Sequence, residues 1–374
     1  MQKTREKEII FLYQGPTCLD RVQRPANYAL PRLILYLHKQ GYKVTVFNTE
    51  NNERVDDKLE FKKFSFYSYA KVLWNNYRHR RKFIVVFNQV GHFRNRLSRA
   101  AYVLKKVFRY KLIVRVGGVY YSEKQLNSRQ FAQGVDQYKY LKSCDCFIST
   151  RDGTAVHLFA EKVKIPADRV KAYLNGFPQS VKVEPSLRQN KIMCISRLSH
   201  EKAVDYVIRS YHKALPNLNT PHVLHIIGDG KEHAALKQLT VDLGIEENVV
   251  FEGFSDDWVH HFSTSKLVLA GLASNPLIEA ISTSTPAIAL ELGELAEIYA
   301  RFENVFIVNY TRGGYGRVPQ EYMDGLVEET AGLITRILNG GYEYKQIDFD
   351  EETYGWEKRL KEESQLYERL LTTS

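Results

Sequence analysis

Residues 195–205 read Ile195-Ser-Arg-Leu-Ser-His-Glu-Lys-Ala-Val-Asp205, and the interpretation of the second half of the chain starts from this stretch. An apolar run ends, a short loop carries Arg197, and Lys202 stands where an amphipathic helix over 202–215 is predicted to begin. Cations at a helix N-terminus oppose the helix dipole and are unfavourable there unless an anion is present. Two such cations, with the free N–H groups of a helix end, can hold a diphosphate without a metal. The alternative is a pair of solvated surface charges.

Glycines follow two further predicted strands. Gly228 and Gly230 belong to the segment Ile-Ile-Gly-Asp-Gly-Lys, and Gly253 precedes Phe254 in Phe-Glu-Gly-Phe. Glycine permits a tight turn and the close approach of a ligand, although Gly-Asp-Gly is also typical of a plain turn. Gly253 would let a ligand ring lie against the backbone, and a simple strand end explains it equally well.

A fourth segment begins at Gly271 and reads Gly-Leu-Ala-Ser-Asn-Pro-Leu-Ile-Glu-Ala. Pro276 suits the first turn of a helix, and Glu279 suits the positive end of the helix dipole. A carboxylate at this position could instead accept hydrogen bonds from both hydroxyls of a ribose. Glu279 therefore has a structural and a ligand-binding interpretation.

Short apolar runs alternate with amphipathic segments along the whole chain, which indicates parallel sheets covered by helices on both faces. Residues 1–175 are predicted to form a first domain, 176–190 a linker rich in Gly and Pro, and 191–350 a second domain. The tail, 351–374, is predicted as one long helix that packs back on the first domain. Strands are predicted at 9–13, 44–47, 83–87, 112–116, 146–149, 170–174, 191–195, 222–227, 249–252, 267–270, 287–290 and 305–308, and helices at 26–40, 97–108, 202–215, 231–243 and 352–371.

Charged residues are distributed unevenly between the two halves of the chain. Residues 1–190 hold 36 Lys plus Arg against 15 Asp plus Glu, a balance of +21, whereas residues 191–374 have a balance of −11. A basic first half indicates an anionic partner. Four cysteines in 374 residues point to a reducing compartment rather than a disulfide scaffold. No apolar window approaches a membrane span or a signal sequence, so a cytoplasmic location is predicted.

Taken in order, these segments resemble the retaining glycosyltransferases of family 4, whose GT-B fold has two Rossmann-like domains facing a cleft. Ser196-Arg-Leu-Ser-His-Glu-Lys-Ala203 is similar to the family's "G-R-L-x-x-x-K-G" and keeps Arg197 and Lys202. Ile-Ile-Gly-Asp-Gly230 matches "I-V-G-x-G", and Val-Val-Phe-Glu-Gly253 matches "V-x-F-x-G". The resemblance is specific over about 191–300 and general before it.

The resemblance implies roles for these residues. Arg197 and Lys202 would bind the donor diphosphate, and Glu279, matching the second Glu of the family's "E-x7-E", would bind the donor ribose. The first Glu is absent, because Gly271 stands eight residues before Glu279. Contacts to the sugar would then come from Asn275 or from main-chain N–H groups around Ser274 to Leu277, a segment that includes Pro276.

The first half departs from the family in a second way. Many relatives place a His after the strand that corresponds to 112–116, but here the chain runs through Arg115 into Gly117. His92 is the nearest substitute, although a lone His is more often structural. Gly15, in the loop after the first strand, is a candidate for close approach to the donor.

Two basic stretches, 77–82 and 94–109, carry interleaved aromatic residues. Basic amphipathic helices with aromatic side chains suit an anionic membrane surface, and each near-surface cation is worth about 1 kcal/mol there. Nucleic acid is the rival partner, since basic patches with aromatics also suit phosphates and stacked bases. A solvated helix face is the third interpretation.

The sequence thus predicts a hexosyltransferase-type enzyme that uses a UDP- or GDP-linked sugar and no metal. Its expected acceptor is a cell-envelope glycan or a lipid-linked molecule at the inner face of the membrane, where the protein would be peripheral. A phage-like enzyme that glycosylates modified DNA bases and an inactive GT-B partner subunit remain the alternatives.

Overall fold

The computed structural model describes most of the chain. The chain divides into two compact units, the first drawn from Met1–Arg151, Ala155–Asn175 and Trp356–Ser374, and the second from Gly176–Gly355 with Asp152–Thr154. The described residues are 7–13, 29–48, 53–54, 56–89, 96–118, 121, 123–138, 140–151, 155–271, 275–290, 298–310 and 318–373.

The first unit is built on an eight-stranded sheet of order β3-β4-β2-β1-β5-β6-β7-β8, in which all neighbours are parallel except β3 and β4. Its strands are β1 Lys7–Tyr13, β2 Lys43–Asn48, β3 Glu53–Arg54, β4 Leu59–Lys63, β5 Lys82–Gln89, β6 Lys111–Val116, β7 Cys146–Thr150 and β8 Val170–Tyr173. Its helices are α1 Ala29–Lys39, α2 Phe66–Arg78, α3 Arg96–Phe108, α4 Glu123–Leu126, α5 Arg129–Gly134 and α6 Val156–Lys162, with the last helix of the chain, α13 Trp356–Thr372.

Alternating strand residues of this sheet enter two different cores. Ile10 and Leu12 of β1 pack with α2 and α3, whereas Ile9 and Phe11 pack with α1 and α13. Because successive side chains of a strand point to opposite faces, a strand that is apolar at every position must be covered twice. The first unit therefore buries its sheet between two helical layers, and the C-terminal helix supplies part of one.

The second unit is built on a six-stranded parallel sheet of order β11-β10-β9-β12-β13-β14. Its strands are β9 Lys191–Ile195, β10 Val223–Ile227, β11 Val249–Gly253, β12 Leu267–Ala270, β13 Ala287–Leu290 and β14 Val305–Val308. Its helices are α7 Val204–Ala214, α8 His233–Asp242, α9 Trp258–Thr264, α10 Asn275–Ser282, α11 Gln320–Arg336 and α12 Glu351–Tyr354.

The predicted fold class is confirmed by these two α/β sheets, and most predicted strands agree with the structure within one or two residues. The predicted tail helix is interrupted: α12 ends at Tyr354, and Gly355 is extended, with φ −68° and ψ 162°. Gly355 forms an isolated bridge with Phe177, whose N–H donates to Tyr354 O at 2.8 Å. The periodic pattern predicts helix on both sides of this break but does not reveal the bridge.

Helices α2, α4, α5, α6, α9 and α11 are not among those predicted from the sequence. None of the helices in the described part of the chain is both long enough and apolar enough to cross a membrane.

Candidate functional site

The candidate site lies at the carboxyl edge of the second sheet, where β9, β10 and β11 end side by side. Backbone hydrogen bonds join the loop after β9 to the loop after β10: Ser196 N donates to Ile227 O at 2.9 Å and Leu198 N to Asp229 O at 2.9 Å. Gly228 N donates to Gly253 O at 2.7 Å, which adds the end of β11. The loop that carries Arg197 is therefore fixed by its neighbours on one side.

Gly228 and Gly230 are required by this contact between loops. A Cβ on Gly228, whose φ is +133°, would lie 1.9 Å from Ser196 O, and one on Gly230 would lie 2.2 Å from Leu198 O. No side chain fits at either distance. The sequence analysis predicted close approach by a ligand; the structure shows a close approach by the backbone of the arginine loop.

Arg197 presents its guanidinium to solvent, with 66 % of the side chain exposed. Its contact in the structure is Glu201, four residues on, at 3.6 Å between Nη2 and Oε1. An exposed ion pair of this kind is worth about 0.3–0.5 kcal/mol. Arg197 can therefore exchange this contact for a phosphate at little cost.

Lys202 lies just before helix α7 rather than inside the predicted helix. It ends a short 3₁₀ turn, His200–Lys202, and Ala203 follows in the left-handed conformation with φ 49° and ψ 43°. Helix α7 then begins at Val204. This sharp turn keeps Lys202, which is half-buried, on the same edge as Arg197.

Gly271 contacts the loop of Arg197 and Lys202 from the other side of β9. It follows β12, and a Cβ at this position would lie 2.2 Å from Lys202 O and 2.7 Å from Ala203 O. The position that the sequence comparison assigned to a missing Glu thus has no room for any side chain. The loop of Arg197 and Lys202 is held between the β10 loop and the end of β12.

Helix α10 starts four residues after Gly271 and carries the remaining predicted donor residues. Asn275 and Pro276 are half-buried in its first turn, and Leu277 is fully buried, so Leu277 can offer a ligand only its backbone. Glu279 lies in the second turn with 8 % exposure. A carboxylate buried to this extent requires polar partners.

Phe254 is 72 % exposed beside Gly253, whose φ is +74°. A polar cluster that the sequence does not predict anchors the residues on either side of Phe254 in the chain. On one side, Glu252 Oε1 accepts from Lys191 Nζ at 3.2 Å and lies 2.5 Å from His225 Nδ1. The sequence shows a His and a Glu, His225 and Glu252, on two predicted strands. Only the pairing of β10 with β11 reveals that the two side chains meet.

On the other side of Phe254, His261 Nε2 lies 2.8 Å from Ser255 Oγ. Burial, and then the nearby Lys191, lower the pKa of His261 below its ordinary value. Burial alone would raise the pKa of Glu252, but its hydrogen bonds to His225 and Lys191 bring the pKa below the usual range. Near neutral pH, an ionised Glu252 and a neutral His261 thus fix the backbone around Phe254.

The structure does not bring the predicted acceptor-side residues together in a comparable cluster of described side chains. Arg115 is 5 % exposed, and its Nε donates to Glu363 Oε1 of helix α13 at 2.9 Å while Nη1 donates to Asn88 Oδ1 at 3.1 Å. Gly117 is exposed after β6. Gly15 and His92 lie outside the described residues.

Within the described ranges, His, Cys, Asp and Glu side chains form no group of three or more suited to holding a metal ion.

Comparison with known proteins agrees with this architecture. Two parallel α/β sheets with a last helix that returns to the first unit are the GT-B fold, as in a structure of Anabaena HepE in complex with UDP and glucose. That structure has a TM-score of 0.64 and 15 % sequence identity, and the match covers 96 % of this chain and 98 % of that chain. Residues 178–323 match the family model "Glycosyl transferases group 1", which confirms the predicted resemblance at the level of glycosyltransferases.

Two curated relatives also match. An uncharacterized glycosyltransferase of Methanocaldococcus jannaschii is 24 % identical over 210 residues, and an exopolysaccharide phosphotransferase of Streptomyces coelicolor is 28 % identical over 131 residues. These matches cover 50 % and 34 % of this chain. They span 51 % of the first relative and 14 % of the second.

Proposed function

We propose that this protein is a retaining glycosyltransferase that moves a sugar from a nucleotide diphosphate to a hydroxyl of a cell-envelope glycan or lipid-linked acceptor. The observation that carries the proposal is the Arg197–Lys202 loop, which is held between the β10 loop and Gly271. Donors fixed in advance stabilise a developing charge better than mobile ones, because they need not reorganise during the reaction. The family match over 178–323 supports the same conclusion.

The donor diphosphate would lie on Arg197 and Lys202. Their attraction for it grows as the bond to the sugar breaks and negative charge collects on the leaving group, so they lower the barrier. Two cations carried by a fixed loop supply the charge that a divalent ion supplies elsewhere, and we therefore expect no metal requirement. Glu279 would accept hydrogen bonds from the ribose hydroxyls.

The remaining contacts to the donor would come from residues at the same carboxyl edge of the second sheet. The nucleobase would lie against Gly253 and Phe254, and the sugar would contact Asn275, Pro276 and the main-chain N–H group of Leu277. Gly228 and Gly230 act indirectly, since they allow the arginine loop its position.

In the reaction, the bond between the anomeric carbon and the diphosphate oxygen breaks, and the acceptor oxygen forms its bond on the same face of the sugar. The leaving phosphate takes the proton of the acceptor hydroxyl. Anomeric configuration is retained because the nucleophile arrives from the side on which the leaving group departs.

A UDP-linked sugar is the donor we favour over a GDP-linked one. The support is the likeness to the HepE structure, which is in complex with UDP and glucose. The name of the Streptomyces coelicolor relative, an exopolysaccharide phosphotransferase, supports an envelope glycan as the acceptor. The balance of +21 over residues 1–190 supports a polyanionic acceptor or a membrane surface, with modified DNA as the alternative.

A second candidate function is an inactive partner subunit on the same scaffold. The backbone packing at Gly271 favours it, because no carboxylate can be placed there to face a sugar. The two candidates differ in turnover: both bind the nucleotide, but only the enzyme transfers or slowly hydrolyses the sugar.

Calorimetric titration with UDP tests the donor site. Arg197→Ala and Lys202→Ala should each weaken binding by roughly tenfold to a hundredfold, since a hydrogen bond to a charged group is worth about 1.5–3 kcal/mol. Lys237→Ala, an exposed cation on helix α8, is the matched control and should bind as the parent does. Equal affinity in all four proteins would remove the proposed diphosphate site.

A hydrolysis assay with UDP-sugars then separates the two candidates. Release of UDP that depends on Arg197 supports the enzyme. Tight UDP binding without release from any sugar donor, even when acceptor glycans are present, would support the inactive subunit instead.

A further inference from the structure

Helices α2 and α3 of the first unit expose an apolar surface that the fold does not cover. In the described part of the chain, eleven large apolar side chains are exposed, and six of them lie on these two helices. We call the set the α2–α3 surface. It consists of Phe66, Tyr67, Trp74, Tyr77, Val103 and Val107, which are between 54 % and 76 % exposed.

The surface is continuous from one helix to the other. The rings of Trp74 and Tyr77 lie 6.1 Å apart between centroids, and Tyr77 meets Phe108 of α3 edge-on at 5.9 Å. The opposite face of α2 is already buried through Tyr69 and Leu73. A helix that is apolar on the core side and aromatic on the solvent side is unusual unless a second partner covers it.

Cations alternate with these apolar side chains. Along α2, the spacing of four and three residues places Tyr67, Lys71, Trp74 and Arg78 on one stripe. Along α3, the same spacing places Arg99, Val103 and Lys106 on one stripe, with Val107 beside it. Lys71, Arg78, Arg99 and Lys106 are exposed, and none forms an ion pair with any residue that the structure describes.

The sequence around these two helices contains no acidic residue. Residues 61–122 contain fifteen Lys plus Arg and no Asp or Glu. Arg80 and Arg109, which follow the ends of α2 and α3, both have left-handed backbones with φ 50° and 53°. Glycine adopts that conformation more easily, so arginine at both positions is the less favourable choice for the fold and adds two cations to this region.

A groove of about 480 Å³ opens between the two helices. It is lined by Phe64, Phe66 and Val103 and has Arg99 among its walls. The site thus combines an apolar recess with a guanidinium, which suits a molecule that has an apolar chain and an anionic head.

We propose that the α2–α3 surface docks this protein on an anionic lipid bilayer, with Trp74, Tyr77 and the valines in the interfacial layer and the four cations on lipid phosphates. Amphipathic aromatic rings favour that layer, and Lys and Arg beside them add electrostatic attraction. A second copy of the chain is a poor occupant, because two such surfaces would bring like charges together. A nucleic acid fits less well, because its bases could stack on the aromatic rings but would leave Val103 and Val107 without an apolar partner.

This inference gives a surface to the peripheral membrane association that is part of the proposed function. Its test does not depend on sugar transfer, so the chemistry and the docking surface can fail separately.

The experiment is flotation of the full chain with vesicles of phosphatidylcholine, alone or mixed with phosphatidylglycerol. The parent should float with the mixed vesicles and not with phosphatidylcholine alone. Arg99→Gln combined with Lys106→Gln should lower the partition coefficient about 25-fold, since each near-surface cation contributes about fivefold (about 1 kcal/mol). Trp74→Ser combined with Val107→Ser should abolish flotation.

Helix α8 of the second unit provides the matched control. Lys237→Gln combined with Val241→Ser removes one exposed cation and one exposed valine there and should leave flotation unchanged. Melting temperatures close to that of the parent show that each variant is folded. Trp74 is also a reporter: its fluorescence should shift to the blue with mixed vesicles, and Trp74→Phe should lose that shift but still float.

Three results would overturn the proposal. One is flotation of the α2–α3 variants equal to that of the parent. Another is retention on DNA without flotation, which would assign the surface to nucleic acid. The third is a dimer in sedimentation that the same substitutions dissociate, which would assign it to a second copy.

Discussion

Backbone conformation at single residues determines the shape of the loop that carries Arg197 and Lys202. Gly228 and Gly230 let the β10 loop touch it, Gly271 lets β12 touch it, and Ala203 turns the chain into helix α7. Three of these positions lack a side chain because there is no space for one. At the fourth, Ala203, a side chain is present although its backbone is left-handed.

Ala203→Gly should leave the free energy of unfolding of the second unit nearly unchanged, although glycine is normally destabilising. Relief of the left-handed backbone contributes about 1–2 kcal/mol, but the greater entropy of unfolded glycine and the loss of the fully buried Ala203 methyl group together remove about the same amount, so we expect a net change close to zero. The free energy of unfolding in urea measures it. Ala235→Gly, exposed in α8 with ordinary helical backbone, should instead lose about 1 kcal/mol. Equal losses in both variants would contradict the argument.

Gly228→Ala should disrupt the arginine loop. The new Cβ meets Ser196 O at 1.9 Å on a backbone with φ +133°, so we expect a loss of about 3 kcal/mol together with weakened UDP binding. Gly325→Ala is the control: Gly325 is exposed in helix α11, and a Cβ there meets nothing within 4 Å. That variant should gain about 1 kcal/mol. Denaturant unfolding and UDP titration of both proteins provide the comparison.

At the level of elements, one side chain connects the segment before β9 to two helices of the second unit. The Arg188 guanidinium donates to Ser265 O at 2.8 Å after α9 and to Thr283 O and Ser284 O at 3.1 Å after α10. It also lies 5.2 Å from the ring centroid of Tyr344. Carbonyl groups at helix C-termini are the negative ends of their dipoles, and a cation there is favourable.

Arg188→Ala should therefore destabilise the second unit by about 2–3 kcal/mol, because several carbonyl groups lose a charged donor. Arg188→Lys should recover little, since a single ammonium group cannot reach both helix ends. Lys182→Ala, which removes an exposed cation from the segment before β9, should have no effect. Thermal unfolding monitored by circular dichroism distinguishes these outcomes, and full recovery by lysine would refute the bridging role.

At the level of the whole molecule, the chain ends in the unit where it began. Glu363 of helix α13 is fully buried and accepts from Arg115 of β6 at 2.9 Å and from Arg359 at 3.2 Å. Tyr367 donates to the same carboxylate at 2.8 Å. This buried cluster specifies how the last helix meets the first sheet.

The cluster makes the stability of the first unit sensitive to acid. Burial alone would raise the pKa of Glu363, but Arg115 and Arg359 bring the pKa below its ordinary 4.5. A carboxyl with a lowered folded pKa contributes stability above its unfolded pKa, and that contribution is lost as the pH falls through the folded pKa. Unfolding free energy should therefore decrease below about pH 4.5.

Glu363→Gln should cost about 3–5 kcal/mol at neutral pH, because two buried guanidinium groups lose their counter-charge. It should also flatten the acid limb of the stability profile. Glu362→Gln, on the exposed side of the same helix, should leave the profile unchanged. Urea unfolding at a series of pH values tests this, and an unaltered acid limb in the Glu363 variant would contradict it.

The sequence by itself determined the fold class, most strands and the order of the donor-side segments, because apolar periodicity and the residues after strand ends are local properties. It missed α2 over 66–78, where exposed aromatic residues obscure the amphipathic period. The sequence also does not reveal that the Arg115 guanidinium donates to Glu363, because the two residues are 248 positions apart in the chain.

Only the tertiary structure decided which glycines are required and why. Gly228 and Gly230 occur in a motif that a plain turn explains equally well, and Gly271 occupies a position that lacks an expected carboxylate. The packed loops show that all three meet backbone atoms of the 196–203 loop. Such contacts join segments far apart in the chain, so their distances depend on the assembled sheet and not on local sequence.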